Sequence, residues 1–178
     1  VVTYYTQNPW LGIMAAIAAG MMISIIHAFA SVSLQSNQVV SGLALTMLGL
    51  GLSGMLGKPY VGKPLSTKME DWVIPYLSDI PFVGDIFFKQ SPFFYLAIFL
   101  ALAAWFFFER TRLGIQIRST GENPRATETQ GINVFLIRHF CVMIGGGFSA
   151  LAGAHLSISY SKSWIEGMTA GRGWIAIA

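Results

Sequence analysis

Between Trp10 and Val32 the chain reads WLGIMAAIAAGMMISIIHAFASV, without a single Lys, Arg, Asp or Glu. A run of roughly 20 mostly apolar residues is what a helix needs to cross a bilayer. In hydrocarbon the backbone must satisfy its own hydrogen bonds, so a lone segment of this kind has to be helical. The same pattern returns at about 39–57, 93–108 and 135–159, and 169–178 reads as the start of a further span. Composition points the same way. Only 11% of the residues are charged, against about 25% for a soluble globular domain. The expected fold class is an all-α polytopic membrane protein, a single transmembrane domain over 1–178. The chain begins at Val1 and stops at Ala178 inside an apolar segment, so it is expected to be an interior portion of a longer protein.

Small residues recur every fourth position along the first span, at Gly12, Ala16, Gly20, Ser24 and Ala28. In lipid such a stripe lets a second helix approach closely. A shorter stripe, Gly49, Ser53 and Gly57, lies on the second span, and the fourth holds Gly145, Gly146, Gly147, Ala150, Gly153 and Ala154.

Loop charge sets the expected orientation. The connection 109–138 carries Arg110, Arg112, Arg118, Arg125 and Arg138. Loop 58–92 offsets Lys58, Lys63, Lys68 and Lys89 with Glu70, Asp71, Asp79 and Asp85, and its prolines forbid a long helix. The positive-inside rule puts 109–138 and the break 33–38 in the cytoplasm, with 58–92 and 160–168 outside. Loop 58–92 is expected to lie along the interface in short amphipathic pieces.

Several chemistries are excluded. A net charge of +3 without a basic stripe argues against nucleic acid. Gly145-Gly146-Gly147 lacks the Lys of a phosphate-binding loop. His27, His139 and His155 have no metal-ligand spacing, and lone Cys141 suits packing. No catalytic, metal or directly bound cofactor residues are assigned. His27 and His155 fall within spans, where a polar side chain can mark a pathway, and fit a structural role such as hydrogen bonding across helices, while Arg172, in TAGRGW, fits either an interfacial anchor or a structural or pathway role. The stretch Asn37-Gln38-Val39-Val40-Ser41-Gly42 reads either as a turn with a helix start or as an interrupted helix lining a cavity.

The most polar stretch is GENPRATETQG, residues 121 to 131. Asn123 suits an N-cap, Pro124 the first helical position and Gly131 the left-handed residue that stops a helix. The pattern predicts about two helical turns over 124–130. Arg125, Thr127, Glu128, Thr129 and Gln130 stud its faces and only Ala126 is apolar, so it looks built for docking rather than for lipid.

The run LGIQIRSTGENPRATETQGINV (113–134), ahead of a glycine-rich span, resembles permease subunits of bacterial ABC importers, in the simple-sugar and nucleoside branch. NQVVSGLAL (37–45), WVIPYLSDIPFVGDIFF (72–88) and EGMTAGRGWIAIA (166–178) agree, while Thr46 departs from the Asn often found there. The resemblance implies an architecture like the vitamin B12 importer class (type II), a bacterial inner-membrane location and a second permease subunit. It also implies a partner ATPase that holds the ATP, and an extracytoplasmic binding protein that delivers a nucleoside or simple sugar. Segment 109–134 then becomes the cytoplasmic coupling segment. The ATPase would be met by Gly121, Glu122, Asn123, Pro124, Arg125, Ala126, Thr127, Glu128 and Gly131. Polar groups at span ends and breaks, Asn37, Gln38, Ser41, Gly42 and Thr46, are candidates for the substrate path. The competing reading is a secondary transporter or channel driven by an ion gradient. It needs acids within the spans, and all of the acids here sit in loops or at span edges.

Overall fold

The computed structural model describes residues 1–63, 65, 72–73 and 89–177. Its helices are α1 (Val2–Thr6), α2 (Pro9–Ala28), α3 (Gln38–Gly57), α4 (Pro92–Arg110), α5 (Arg112–Glu122), α6 (Pro124–Thr129), α7 (Val134–His155) and α8 (Arg172–Ile177). π-helical turns extend α2 over Phe29–Ser33 and α7 over Leu156–Tyr160, and a 3-10 turn extends α3 over Lys58–Tyr60. Among the described residues four helices are long and apolar enough to cross a membrane: Pro9–Ser33, Gln38–Tyr60, Pro92–Arg110 and Val134–Tyr160. Their large side chains point outward, with Met14, Met47, Met55, Phe99 and Leu102 all strongly exposed. That inside-out distribution is what a protein solvated by lipid requires, because lipid tails are as apolar as a core.

The chain divides into two compact units, Val1–Lys68 with Arg138–Ala178, and Met69–Ile137. In the first unit the small-residue stripe of α2 meets α7. A Cβ on Gly20 would collide with the Ala150 side chain and stand 2.6 Å from the Gly146 carbonyl oxygen. One on Gly146 would stand 2.5 Å from Ser24 Oγ and 2.8 Å from the Gly20 carbonyl oxygen. The two backbones therefore touch, with no room for a methyl group on either. Contacts continue along both helices, Gly12 facing Ile158 at one end and Ser33 bonding His139 at the other. The order of these pairs makes α2 and α7 antiparallel. The stripe on α3 behaves differently: Gly49 has nothing within 4 Å, and only Gly57 is covered, by the Trp164 ring.

Both π turns close their spans in a similar way. The Leu34 N–H reaches the Phe29 carbonyl at 3.0 Å, and the Ser161 N–H reaches the Leu156 carbonyl at 2.9 Å. A non-glycine residue with positive φ follows each, Gln35 at φ 50° and Lys162 at φ 52°. Such a conformation costs about 1 kcal/mol or more. At Gln35 it is offset by Ser36, whose N–H and Oγ–H both donate to the Ala30 carbonyl, at 3.1 and 2.8 Å. The break after the first span is thus a tight turn, and α3 starts afresh behind it.

At the other end of this unit Tyr4, Tyr5 and Tyr60 pack edge to face with centroids 5.3 to 6.3 Å apart. Lys63 Nζ lies 5.9 Å from the rings of Tyr4 and Tyr60. The Leu65 N–H donates to the Lys162 carbonyl at 3.0 Å, and Arg172 stacks 5.1 Å over the Tyr160 ring. That stacking gives Arg172 a structural partner. Of loop 58–92, most lies outside the described residues, as does nearly all of 72–88. What is described includes a two-residue antiparallel ribbon pairing Trp72 with Gln90 and Val73 with Lys89 (β1, Trp72–Val73; β2, Lys89–Gln90).

The contact between α2 and α7 yields a contrast of sign. In the full-length permease in detergent, Gly20→Ala should destabilise by about 1–3 kcal/mol through overpacking. Gly49→Ala, facing open space in the interior of α3, should stabilise by about 0.5–1 kcal/mol, because alanine favours a helix over glycine. Thermal unfolding of the three proteins side by side measures the difference, and equal shifts would contradict the packing described.

Candidate functional site

In the second unit α4 leads into α5 through one residue, Thr111, and α5 leads into α6 through one residue, Asn123. Thr111 Oγ1 accepts from the Gly114 N–H at 3.0 Å and donates to the Phe107 carbonyl at 2.7 Å. A Cβ on Gly114 would lie 2.7 Å from Phe108 Cα and 2.8 Å from the Phe108 carbonyl oxygen, so α5 folds back directly onto the end of α4. Glu109 Oε1 and Arg118 Nη1 bridge the corner at 2.7 Å. The polar composition of 109–134 does not announce a helix over Arg112–Glu122, and the presence of that helix corrects the expectation of one polar connection. The signal was present in the cap residue Thr111 and the apolar residues Leu113 and Ile117, one helical turn apart.

Helix α6 has the expected ends. Asn123 Oδ1 accepts from the Ala126 N–H at 3.1 Å, Pro124 occupies the first turn, and Gly131 has φ +79°. The helix proper ends at Thr129, with Gln130 as its cap. Its surface departs from the expectation at one position. Thr127 is 2% exposed and its Oγ1 donates to the Asn123 carbonyl at 3.0 Å, so it faces inward and cannot present its side chain to a partner. Pro124 is half-buried, whereas Gly121, Glu122, Asn123, Arg125, Ala126, Glu128 and Gly131 are exposed. A helix polar all round in sequence therefore has an inner face. The short Thr side chain returns its hydroxyl to the backbone and leaves a methyl group to pack.

The candidate path residues belong to the first unit. Asn37 Oδ1 caps α3 by accepting from Val39 and Val40 N–H at 3.0 and 3.3 Å. Ser41 Oγ pairs with His27 Nδ1 at 3.0 Å, which joins α3 to α2. Asn37 and Ser41 line a cavity of about 420 Å³ with His27, Ser36, Ile26, Ala30, Val40, Ala44, Leu45 and Leu48. Gln38, Gly42 and Thr46 do not line it. Gln38 is exposed at the start of α3, Gly42 has nothing within 4 Å, and Thr46 Oγ1 donates to the Gly42 carbonyl at 2.8 Å. His27 bonds across helices to Ser41, the structural role favoured for it, and it also lines this cavity. Its spacing from Ser41 carries no local signal, because the pair forms only when two spans pack.

The whole chain, residues 1–178, matches the family model described as the permease component of the branched-chain amino acid transport system. The chain belongs to that permease family. Among curated relatives it is 45% identical over 182 residues to the provisionally named glucose ABC transporter permease protein TsgC13 of Haloferax volcanii, covering 100% of this chain and 55% of that protein. It is 41% identical over 177 residues to the guanosine ABC transporter permease protein NupQ of Bacillus subtilis, covering 96% of this chain and 55% of the relative. The nucleoside ABC transporter permease protein NupC of Lactococcus lactis is 34% identical over 177 residues, covering 97% and 56%. This permease chain thus spans about half the length of the curated relatives it matches. No solved structure shows significant similarity to it.

The cap on α6 can be tested directly. Asn123→Ala should weaken the helix by about 1 kcal/mol. Backbone amides of residues 124–129 would then exchange with deuterium about fivefold faster, while those of α4 keep their rate. Unchanged exchange over α6 would show that the side-chain cap does not hold it.

Proposed function

We propose that this chain is part of the membrane-spanning permease of an ATP-driven importer, and that α6 is where a cytoplasmic ATPase docks. The observation that carries the reading is α6 itself: a short helix, capped at both ends, anchored by a buried Thr127, with Arg125 and Glu128 exposed. A helix that projects charge from a firm seat suits recognition by a complementary groove better than burial in lipid. Positive-inside charge supports a cytoplasmic position for it. The permease makes and breaks no bonds. It supplies two states of different affinity, and ATP-driven closure of the partner subunits biases the choice between them.

In this reading a second permease, identical or homologous, completes the pathway. The architecture is of the vitamin B12 importer type, and the complex lies in the cell membrane. An extracytoplasmic binding protein delivers the solute to the face that carries 58–92 and 160–168. The names of the relatives, one for glucose and two for nucleosides, favour a nucleoside or simple sugar as cargo. Asn37 and Ser41, with His27, are the path candidates that share a cavity, and Gln38, Gly42 and Thr46 stand outside it. In the cavity Asn37 Oδ1 and the His27–Ser41 pair are already engaged within the chain, so a solute would have to compete for them.

The test is uptake by the full-length permease with its ATPase and binding protein in proteoliposomes, using labelled guanosine and glucose. Import should require internal ATP and survive collapse of the ion gradients. Import that persists without ATP and stops with the gradient would instead establish a secondary transporter. Arg125→Glu and Glu128→Arg should each leave membrane insertion intact and lower uptake about tenfold, in line with the loss of 1–3 kcal/mol of coupling. Parental uptake in both variants would remove α6 from the coupling role.

A further inference from the structure

We propose that α4, α5 and α6 move as one lever whose elbow is locked by Glu109, Thr111, Gly114 and Arg118, which act as positioning residues for transport. The proposal rests on α6 being the docking helix and identifies the route by which its displacement reaches a membrane span. The three helices lie in a single compact unit. A hinge absorbs motion in a few loop or terminal residues whose φ and ψ can change. Neither corner of this unit offers such slack, since each consists of one residue with its polar groups engaged.

At the first corner the Phe107 carbonyl accepts from both the N–H and the Oγ–H of Thr111, at 3.3 and 2.7 Å. The Thr111 carbonyl in turn accepts from the Ile115 N–H at 3.2 Å, and Thr111 Oγ1 holds the Gly114 N–H. Gly114 is buried against the backbone of Phe107 and Phe108, where a Cβ would collide, so only glycine lets α5 fold this close to α4. The Glu109–Arg118 pair joins the last turn of α4 to a point about two turns into α5, so the elbow cannot open without breaking it. At the second corner the Asn123 N–H ends α5 on the Ser119 carbonyl at 2.9 Å. Its carbonyl begins α6 by accepting from the Thr127 N–H and Oγ–H, at 3.1 and 3.0 Å.

The ion pair is about half exposed, and a pair of that kind contributes little to stability. Its place in the lever is mechanical. It ties Glu109, beside the corner, to Arg118, about two turns along α5, and so favours one elbow angle over others. A purely decorative surface pair would not affect the distance between the ends of the lever.

The experiment uses the full-length permease with its ATPase in nanodiscs, native cysteines replaced and spin labels at Leu102 on α4 and Thr129 at the end of α6. Both positions are exposed. Pulsed dipolar spectroscopy should give one narrow distance, the same without nucleotide and after trapping with ATP and vanadate. Arg118→Glu should broaden that distribution about twofold and raise the ATP hydrolysed per guanosine or glucose imported about fivefold. The exchanged pair Glu109→Arg with Arg118→Glu should restore both values. An ATP-dependent shift of the parental distance would overturn the lever. Unchanged width in Arg118→Glu, or no recovery in the exchanged pair, would overturn the lock. The charge reversals on α6 answer a separate question, because they alter docking without touching the elbow.

Discussion

Every part of this fold answers to one constraint: in lipid a backbone N–H or carbonyl has no water to turn to. Helices meet that demand along their length, and their ends are where it has to be met by other groups. Here the ends are closed from within the chain. Side-chain oxygens of Asn8, Asn37, Thr111, Asn123 and Asn133 accept from the first turns of α2, α3, α5, α6 and α7. At the far ends of α2 and α7 a π-helical segment of 5 residues carries the ladder onward before the chain reverses. The caps therefore do more than start helices. They fix where each span stops and at what angle the next segment leaves.

Once the helices exist, hydrophobicity no longer chooses their partners, because lipid competes equally for every apolar face. Close approach and polar bonds decide instead. The antiparallel contact of α2 with α7 uses Gly20, Ser24, Gly146 and Ala150 to bring two backbones together. Two histidines then tie neighbouring elements, His27 to Ser41 of α3 and His139 to Ser33 at the end of the first span. In the second unit the same economy of small and hydroxyl residues, Gly114, Thr111 and Thr127, shapes the corners on either side of α5. Small residues are thus the shape-determining ones in both units, while the large apolar side chains mostly face outward.

The features legible in the sequence are those with a local cause. Charge-free runs mark helices that suit lipid, and Asn-Pro ahead of a helix-compatible stretch with a following glycine marks α6 almost to its ends. The stripe on α2 announces close packing for the same reason, since its period is that of one helix face. Helix α5 is hard to read from the sequence because Leu113, Ile115 and Ile117 alternate with Arg112, Gly114, Gln116 and Arg118, a period of two that hides the helical pair Leu113 and Ile117. Thr127 is hidden for another reason. Residue type alone makes it polar, and only its neighbours make it buried.

By itself the sequence determined the class of solvent, the helical character of the spans, the site of the capped polar helix and the resemblance to a permease family. Each follows from residue type and spacing within one segment. Only the tertiary structure decided which stripe is used, since the glycines of α2 meet α7 while Gly49 of α3 meets nothing. It also decided that Asn37 and Ser41 share a cavity with His27, and that Thr127 anchors α6 rather than displaying itself. Those outcomes depend on residues far apart in the chain arriving at a common place, and spacing along a single helix carries no information about that meeting.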